Sequence, residues 1–116
     1  SEPFRTGSLS RTLAHELGHW TGHPSRLNRE YGARRFGDYG YALEELTAEM
    51  CAAFLGAVLG LPSDHIEDHA AYINMWLKVI GDNPSAFLSA AAQAQLAADY
   101  ILHLMGEAPA SQPAEI

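Results

Sequence analysis

The most informative segment of the sequence is residues 14–20, AHELGHW, which contain the pattern H-E-x-x-H. On an α-helix, residues four positions apart lie about 40° apart around the axis and one turn apart along it. The imidazoles of His15 and His19 can therefore converge on one metal ion. Glu16 follows His15 and can reach a water at an open position of that metal, as a general base. The pattern therefore predicts a helical metal site suited to hydrolysis.

The residues around the pattern favour a helix over two incidental surface histidines. Apolar residues recur at helical spacing, at Leu9, Leu13, Leu17 and Trp20. Ser8 or Ser10 can cap the start of this helix, and Gly22 can end it. We therefore expect a helix over residues 8–20.

Composition and charge limit the possible classes of protein. The 116 residues suit one domain, and 47% of them are hydrophobic. The single Cys51 allows no internal disulfide and lies in an apolar helical segment, so we expect a buried, inert thiol and a reducing, cytoplasmic setting. No apolar run suits a transmembrane helix and no signal-peptide pattern is present, so no membrane partner is expected. The net charge of −7 argues against nucleic-acid binding by the chain as a whole.

Periodicity and helix-ending residues predict four helices and little or no sheet. A long loop rich in Arg, Gly and Tyr follows the first helix over residues 21–40. Further helices are expected over residues 41–59, from a cap at Ser63 or Asp64 to about residue 80, and from a cap at Asn83 to about residue 104. The predicted fold is mainly α, with about four helices around one metal site in a domain over residues 1–107. Residues 108–116 are expected to be a disordered tail.

A catalytic zinc site requires a third protein ligand, and the second helix offers carboxylates. Glu45 and Glu49 share one helix face in residues 43–49, LEELTAE. One can bind the metal while the other accepts a hydrogen bond from a ligand histidine. Glu45 is the favoured ligand, and Glu49 is the alternative. Glu44 points about 100° away in the first helical turn, where a favourable interaction with the helix dipole is enough to explain it.

Other histidines are weaker candidates for the third ligand. The longer pattern H-E-x-x-H-x-x-G-x-x-H would place a histidine at Ser25, so we interpret His23 as a rim or capping residue. His65 and His69 are four residues apart but lack a glutamate beside the first, and a second metal site there is the remaining alternative. His103 is expected on a helix surface.

The loop after the first helix carries four arginines, Arg26, Arg29, Arg34 and Arg35. The plain interpretation is a solvated loop with salt bridges to the acidic remainder of the chain. The alternative is a rim that faces the substrate. In that case Arg26 is the best candidate to steady a carboxylate near the site.

These motifs together resemble a known family. The likeness lies in residues 15–23, HELGHWTGH, 26–29, RLNR, 36–38, FGD, and 41–49, YALEELTAE, with later runs at 69–78 and 91–102. The segments are similar to the zincin-like metallopeptidase domain of ArdC-type antirestriction proteins. That domain is also found in TraC-like plasmid primases and in polyvalent proteins of phages and plasmids. The likeness covers nearly the whole chain.

The resemblance implies a metal held by His15, His19 and a downstream glutamate, with Glu16 catalytic. The ImmA/IrrE-type metallopeptidases use E-x-x-A-N, and residues 45–49, ELTAE, are similar, which favours Glu45 as the ligand. Two histidines and one carboxylate suit zinc best, with manganese or cobalt as alternatives.

The expected function is metal-dependent hydrolysis of a protein or peptide in the cytoplasm. The chain would work within an antirestriction-type mobile-element protein that protects incoming DNA or trims host factors. ArdC-type proteins carry a single-stranded-DNA-binding domain with no counterpart here, so nucleic acid is expected to bind only through such a domain. Within the site, His69 and Tyr72 lie one turn apart, and one of them could polarise the substrate carbonyl, with helix packing as the alternative.

A non-enzymatic function is the main alternative. The chain would then be a catalytically weak or inactive, metal-stabilised module that binds a host restriction or regulatory factor. Nucleic-acid hydrolysis is a weaker alternative, because the net charge of −7 disfavours it. The sequence specifies no oligomeric state.

Overall fold

A computed structural model describes residues 11–29, 38–60 and 66–106. Its helices are α1, Arg11–Trp20, α2, Asp38–Leu59, α3, Ile66–Val79, and α4, Pro84–Leu104. No strand occurs in these three ranges. The prediction of a mainly α fold with four helices is therefore confirmed. None of the four helices combines the length and apolarity needed to cross a membrane.

The central helix is α2, which packs against each of the other three helices. Its fully buried side chains include Leu46, Cys51 and Leu55. On α4, the buried residues are mostly small, and they include Ala90, Ala94, Ala97 and Ala98. Small side chains at a helix contact let the two axes come close. This alanine-rich face of α4 is therefore part of the core.

Three helix ends follow the sequence signals, whereas α2 begins at Asp38, three residues before the predicted start. The Asn83 side chain accepts hydrogen bonds from the backbone N–H groups of Ser85 and Ala86, and Pro84 opens α4. Gly60 and Gly81 follow α2 and α3 with φ angles of 69° and 71°, a left-handed conformation that glycine adopts at low cost. The predicted caps and tail outside the described residues are Ser8, Ser10, Ser63, Asp64 and residues 108–116.

The closest contact between α1 and α2 is made by small residues on α1, with Leu17 partly buried against the same core. Ala14 is fully buried, whereas Leu13 and Trp20 are 40% and 41% exposed. A Cβ added at Gly18 would lie 3.1 Å from the Cα of Ala48. The missing side chain therefore lets the two helix backbones approach closely, which brings the histidines of α1 next to the glutamates of α2.

Cys51 lies in this core and is fully buried, as predicted. Burial raises the pKa of its thiol to about 12, so the thiol is protonated at neutral pH. Because the thiolate is the reactive and metal-binding form, Cys51 is a packing residue.

Candidate metal centre

The two histidines of α1 converge with Glu45 of α2. His15 Nε2 lies 3.2 Å from Glu45 Oε1, and His19 Nε2 lies 3.0 Å from Glu45 Oε2. The two Nε2 atoms are 3.1 Å apart. One ligand atom from each of the three residues lies within 4.8 Å of the others. Among the described residues, this is the one group of His, Cys, Asp or Glu side chains that could hold a metal ion.

Each of the two imidazoles also meets a carboxylate at its other nitrogen. His15 Nδ1 lies 3.0 Å from Glu49 Oε1, and His19 Nδ1 lies 2.9 Å from Glu44 Oε2. When an Nδ1–H donates to a carboxylate, the lone pair of the same ring is on Nε2. Both lone pairs then face the space shared with Glu45. Metal-binding histidines are generally oriented by such partners.

Glu44 has a role that the sequence prediction did not include. Its carboxylate bridges His19 and Arg29, because Arg29 Nε donates to Oε1 at 2.9 Å and Nη2 donates to Oε2 at 2.7 Å. Burial alone would raise the pKa of Glu44, but the hydrogen bonds from Arg29 and His19 outweigh it and lower the pKa. The assignment of Glu44 to the helix dipole alone is therefore wrong, since α2 begins at Asp38 and Glu44 lies in its second turn, where its carboxylate contacts His19. Metal-binding histidines usually donate their second ring N–H to a carboxylate or carbonyl, and His19 would require a partner separate from that of His15. This rule could have indicated the role of Glu44.

Glu49 is fully buried and takes the supporting role considered for it in the sequence. Its Oε1 faces His15, and its Oε2 contacts Nδ1 of His69 on α3. The hydrogen bond with Glu49 raises the pKa of His15 against the opposing effect of burial, and the charge of Glu45 adds to the increase. His15 therefore holds a proton more firmly in the metal-free protein than a free histidine does.

The charges in this cluster match those of a divalent cation. Glu44, Glu45 and Glu49 contribute three negative charges, and Arg29 contributes one positive charge. With neutral imidazoles, two negative charges remain. The facing lone pairs and the Glu45 carboxylate repel one another unless a proton or a metal cation lies among them. Two imidazoles and one carboxylate are a donor set that suits zinc, so the residues present fit this ion.

Glu16 lies beside His15 on α1, and its side chain is exposed. His69 is close to the cluster through its contact with Glu49. Tyr72, one turn further along α3, is 44% exposed. The suggestion that His69 or Tyr72 polarises a substrate carbonyl stays a prediction, and the observed contact assigns His69 Nδ1 to Glu49.

The other residues singled out in the sequence have different surroundings. The guanidinium of Arg26 lies 3.9 Å from the ring centroid of Trp20 and donates from Nε to the Trp20 carbonyl oxygen. His23 accepts a hydrogen bond from the backbone N–H of Ser25 and is exposed, in keeping with a rim residue. His103 is exposed on α4, as predicted. His65, Arg34 and Arg35 lie outside the described residues.

Known proteins are similar to the chain over about three quarters of its length. Two proteins from Escherichia coli, both named DNA primase TraC, are 48% identical to the chain over 91 residues, or 78% of its length. A protein from Sinorhizobium fredii named uncharacterized protein y4eC is 40% identical over 89 residues, or 77% of the chain. The matched segments make up 8% and 6% of the two primases and 29% of the third protein. No solved structure matches the chain.

A protein-family comparison agrees with the motifs and with the geometry. Residues 3–93 match the profile of a family described as zincin-like metallopeptidase. This match spans most of the chain and includes α1, α2 and α3, which carry the histidine and glutamate cluster. The chain therefore belongs to the zincin-like metallopeptidase family.

Proposed function

We propose that the chain is a zinc-dependent peptidase domain. The orientation of the two histidines of α1 carries this proposal. Each Nε2 faces Glu45, while the two Nδ1 atoms face separate carboxylates. A zinc ion supplies a Lewis acid that polarises a carbonyl and lowers the pKa of water.

In this proposal, His15, His19 and Glu45 hold the ion, and Glu16 is the general base. The exposed carboxylate of Glu16 takes a proton from the water that attacks the peptide carbonyl carbon. It then returns a proton to the amine nitrogen as the C–N bond breaks. Manganese or cobalt could replace zinc with the same donors.

The relatives support a setting within a longer protein. The chain spans less than a tenth of the two proteins named DNA primase TraC. We place the peptidase domain in a cytoplasmic, antirestriction-type mobile-element protein, where it cleaves host proteins that act against incoming DNA. Contacts with nucleic acid would belong to other parts of that protein, because this chain carries a net charge of −7.

A metal-stabilised interaction module is the second candidate function. An open, shallow depression on α3 favours it, lined by Ala70, Ala71, Ile73, Asn74 and Leu77. The neighbouring side chains of Tyr72 and Met75 are also substantially exposed. In this function the metal would hold α1 against α2, while α3 would contact a host restriction or regulatory protein.

The Glu16→Gln variant separates the two candidates. Zinc content should be unchanged, because Glu16 is not one of the three converging ligands. Cleavage of a peptide mixture, followed by mass spectrometry, should fall about 100-fold or more, which is the usual contribution of a general base. Asp82→Asn is the matched control, because it removes one exposed carboxylate in the turn between α3 and α4. Equal cleavage by wild type and Glu16→Gln would exclude this base, and a zinc-bound wild type that cleaves no peptide would favour the interaction module.

A further inference from the structure

The segment that follows α1 places a buried guanidinium beside the metal centre. The side chain of Arg29 is only 1% exposed. Besides its two bonds to Glu44, it donates from Nη2 to the Gly18 carbonyl oxygen at 2.8 Å and from Nη1 to Thr21 Oγ1 at 3.1 Å. Arg29 thus joins the end of α1 to the second turn of α2, where His19 contacts Glu44.

The backbone of this segment holds Arg29 in place. The N–H of Leu27 donates to the Thr21 carbonyl oxygen, and the N–H of Arg29 donates to the Gly22 carbonyl oxygen, at 2.9 and 3.0 Å. Gly22 also makes room for the guanidinium, because an added Cβ would lie 2.9 Å from Arg29 Nη2 and 3.1 Å from Cζ. The backbone hydrogen bonds and Gly22 therefore place the Arg29 guanidinium where it donates two hydrogen bonds to the Glu44 carboxylate.

We propose that Arg29 is a positioning residue for the metal centre. By fixing the Glu44 carboxylate, it fixes the ring of His19 with Nε2 directed towards Glu45, and so raises the affinity for a divalent metal ion. This inference rests on the proposed function, since it requires His19 to be a metal ligand.

The geometry of the Arg29–Glu44 contact explains why an arginine is needed. Two parallel N–H···O bonds hold a carboxylate in a defined plane, which a lysine ammonium does not do. The side chain of Glu44 is 27% exposed, so without the fork it can turn towards solvent. His19 Nδ1 would then lose its fixed acceptor. The other ligand histidine, His15, has a separate acceptor in Glu49 and should not respond.

Zinc affinity and the histidine ring signals together test this role. Zinc affinity would be measured by competition with a chromophoric chelator, for wild type, Arg29→Met, Arg29→Lys and Gly22→Ala. Arg29→Met should weaken binding about 10-fold, at the lower end of the effect of removing a partner of a ligand histidine. Arg29→Lys should recover only part of this loss. Gly22→Ala should also weaken binding, since it displaces the guanidinium without removing its charge.

Nitrogen-15 NMR of the zinc-bound protein distinguishes positioning from a general loss of stability. In Arg29→Met, or in Gly22→Ala if Arg29→Met does not fold, the Nδ1 signal of His19 should shift while that of His15 stays in place. Arg26→Met is the matched control, because Arg26 is in the same segment but lies over Trp20. It should leave zinc affinity and both ring signals unchanged.

The possible outcomes separate this inference from the proposed function. Wild-type affinity and an unchanged His19 signal in the Arg29 and Gly22 variants would overturn the role of Arg29 and leave the metal site standing. Equal shifts of the His15 and His19 signals would also overturn it, because a merely structural role predicts them. A wild-type protein that binds no zinc would overturn both.

Discussion

Substitution of Gly18 by alanine tests whether the close contact between α1 and α2 determines both stability and metal binding. The new Cβ would lie 3.1 Å from Ala48 Cα and 3.3 Å from both Ala48 O and Cys51 Cβ. Carbon atoms in ordinary contact are about 3.5–4.0 Å apart, so the helices must separate by a few tenths of an ångström. Because two of these three atoms belong to the backbone, the strain cannot be relieved by a side-chain rotation.

Two opposing effects set the size of the expected change in stability. Overpacking of a well-packed contact costs about 1–3 kcal/mol. The higher helix propensity of alanine returns about 1 kcal/mol. We therefore expect Gly18→Ala to lower the free energy of unfolding by about 1 kcal/mol, which corresponds to a fall in Tm of about 4 °C for a domain of this size.

Urea denaturation of the metal-free protein measures the free energy of unfolding, and a separate titration measures zinc affinity. The control is Ala92→Gly on an exposed face of α4, which measures the propensity effect alone and should cost about 1 kcal/mol. Zinc affinity should also fall in Gly18→Ala, because His15 and His19 would move away from Glu45. A rise in stability of about 1 kcal/mol in Gly18→Ala, with unchanged zinc affinity, would refute the close-contact argument.

Three further predictions follow from particular contacts. Glu49→Gln should weaken zinc binding about 10–100-fold. The NH₂ of the amide would replace one of the two carboxylate oxygens, which now contact Nδ1 of His15 and Nδ1 of His69. Unchanged affinity in a chelator competition would contradict this. Folding raises the pKa of His15 above 6.5, so protonated His15 stabilises the metal-free protein. This stabilisation is fully present below pH 6.5 and is lost as the pH rises through the pKa of the folded state. Zinc replaces that proton, so the increase in Tm on adding zinc should grow between about pH 6 and pH 8, and a constant or shrinking increase in a thermal scan would contradict this. Asn83→Ala should lower the free energy of unfolding by about 1 kcal/mol through loss of the α4 cap while zinc affinity stays the same, and a change in affinity would show that the cap is coupled to the site.

The order and type of the helices could be predicted because local signals determine them. Gly60 and Gly81 end helices through their own backbone conformation, and Asn83 begins one through its own side chain. The closest approach of α1 to α2 could not be predicted in this way. Hydrophobicity favours Leu13 and Trp20, but the contact with α2 depends on the absence of a side chain at Gly18.

The candidate site shows the same division between local and long-range signals. The convergence of His15 and His19 follows from helix geometry, and the packing of α2 against α1 brings Glu45 to them. The role of Glu44 depends on Arg29, which precedes it by 15 residues and draws its carboxylate towards His19. Helical spacing describes where a Cβ points, and it contains no information about a partner that comes from another segment.

The most direct test of the metal centre is the zinc content per chain after zinc loading and dialysis. Wild type should retain one zinc ion, and Glu45→Ala should retain little or none, since it removes the carboxylate that both Nε2 atoms face. His23→Ala is the control, and it should retain zinc as wild type does, because His23 is an exposed residue that bonds to Ser25. A wild-type protein that retains no zinc, or a Glu45→Ala variant that retains as much as wild type, would contradict the assignment of His15, His19 and Glu45 as the metal ligands.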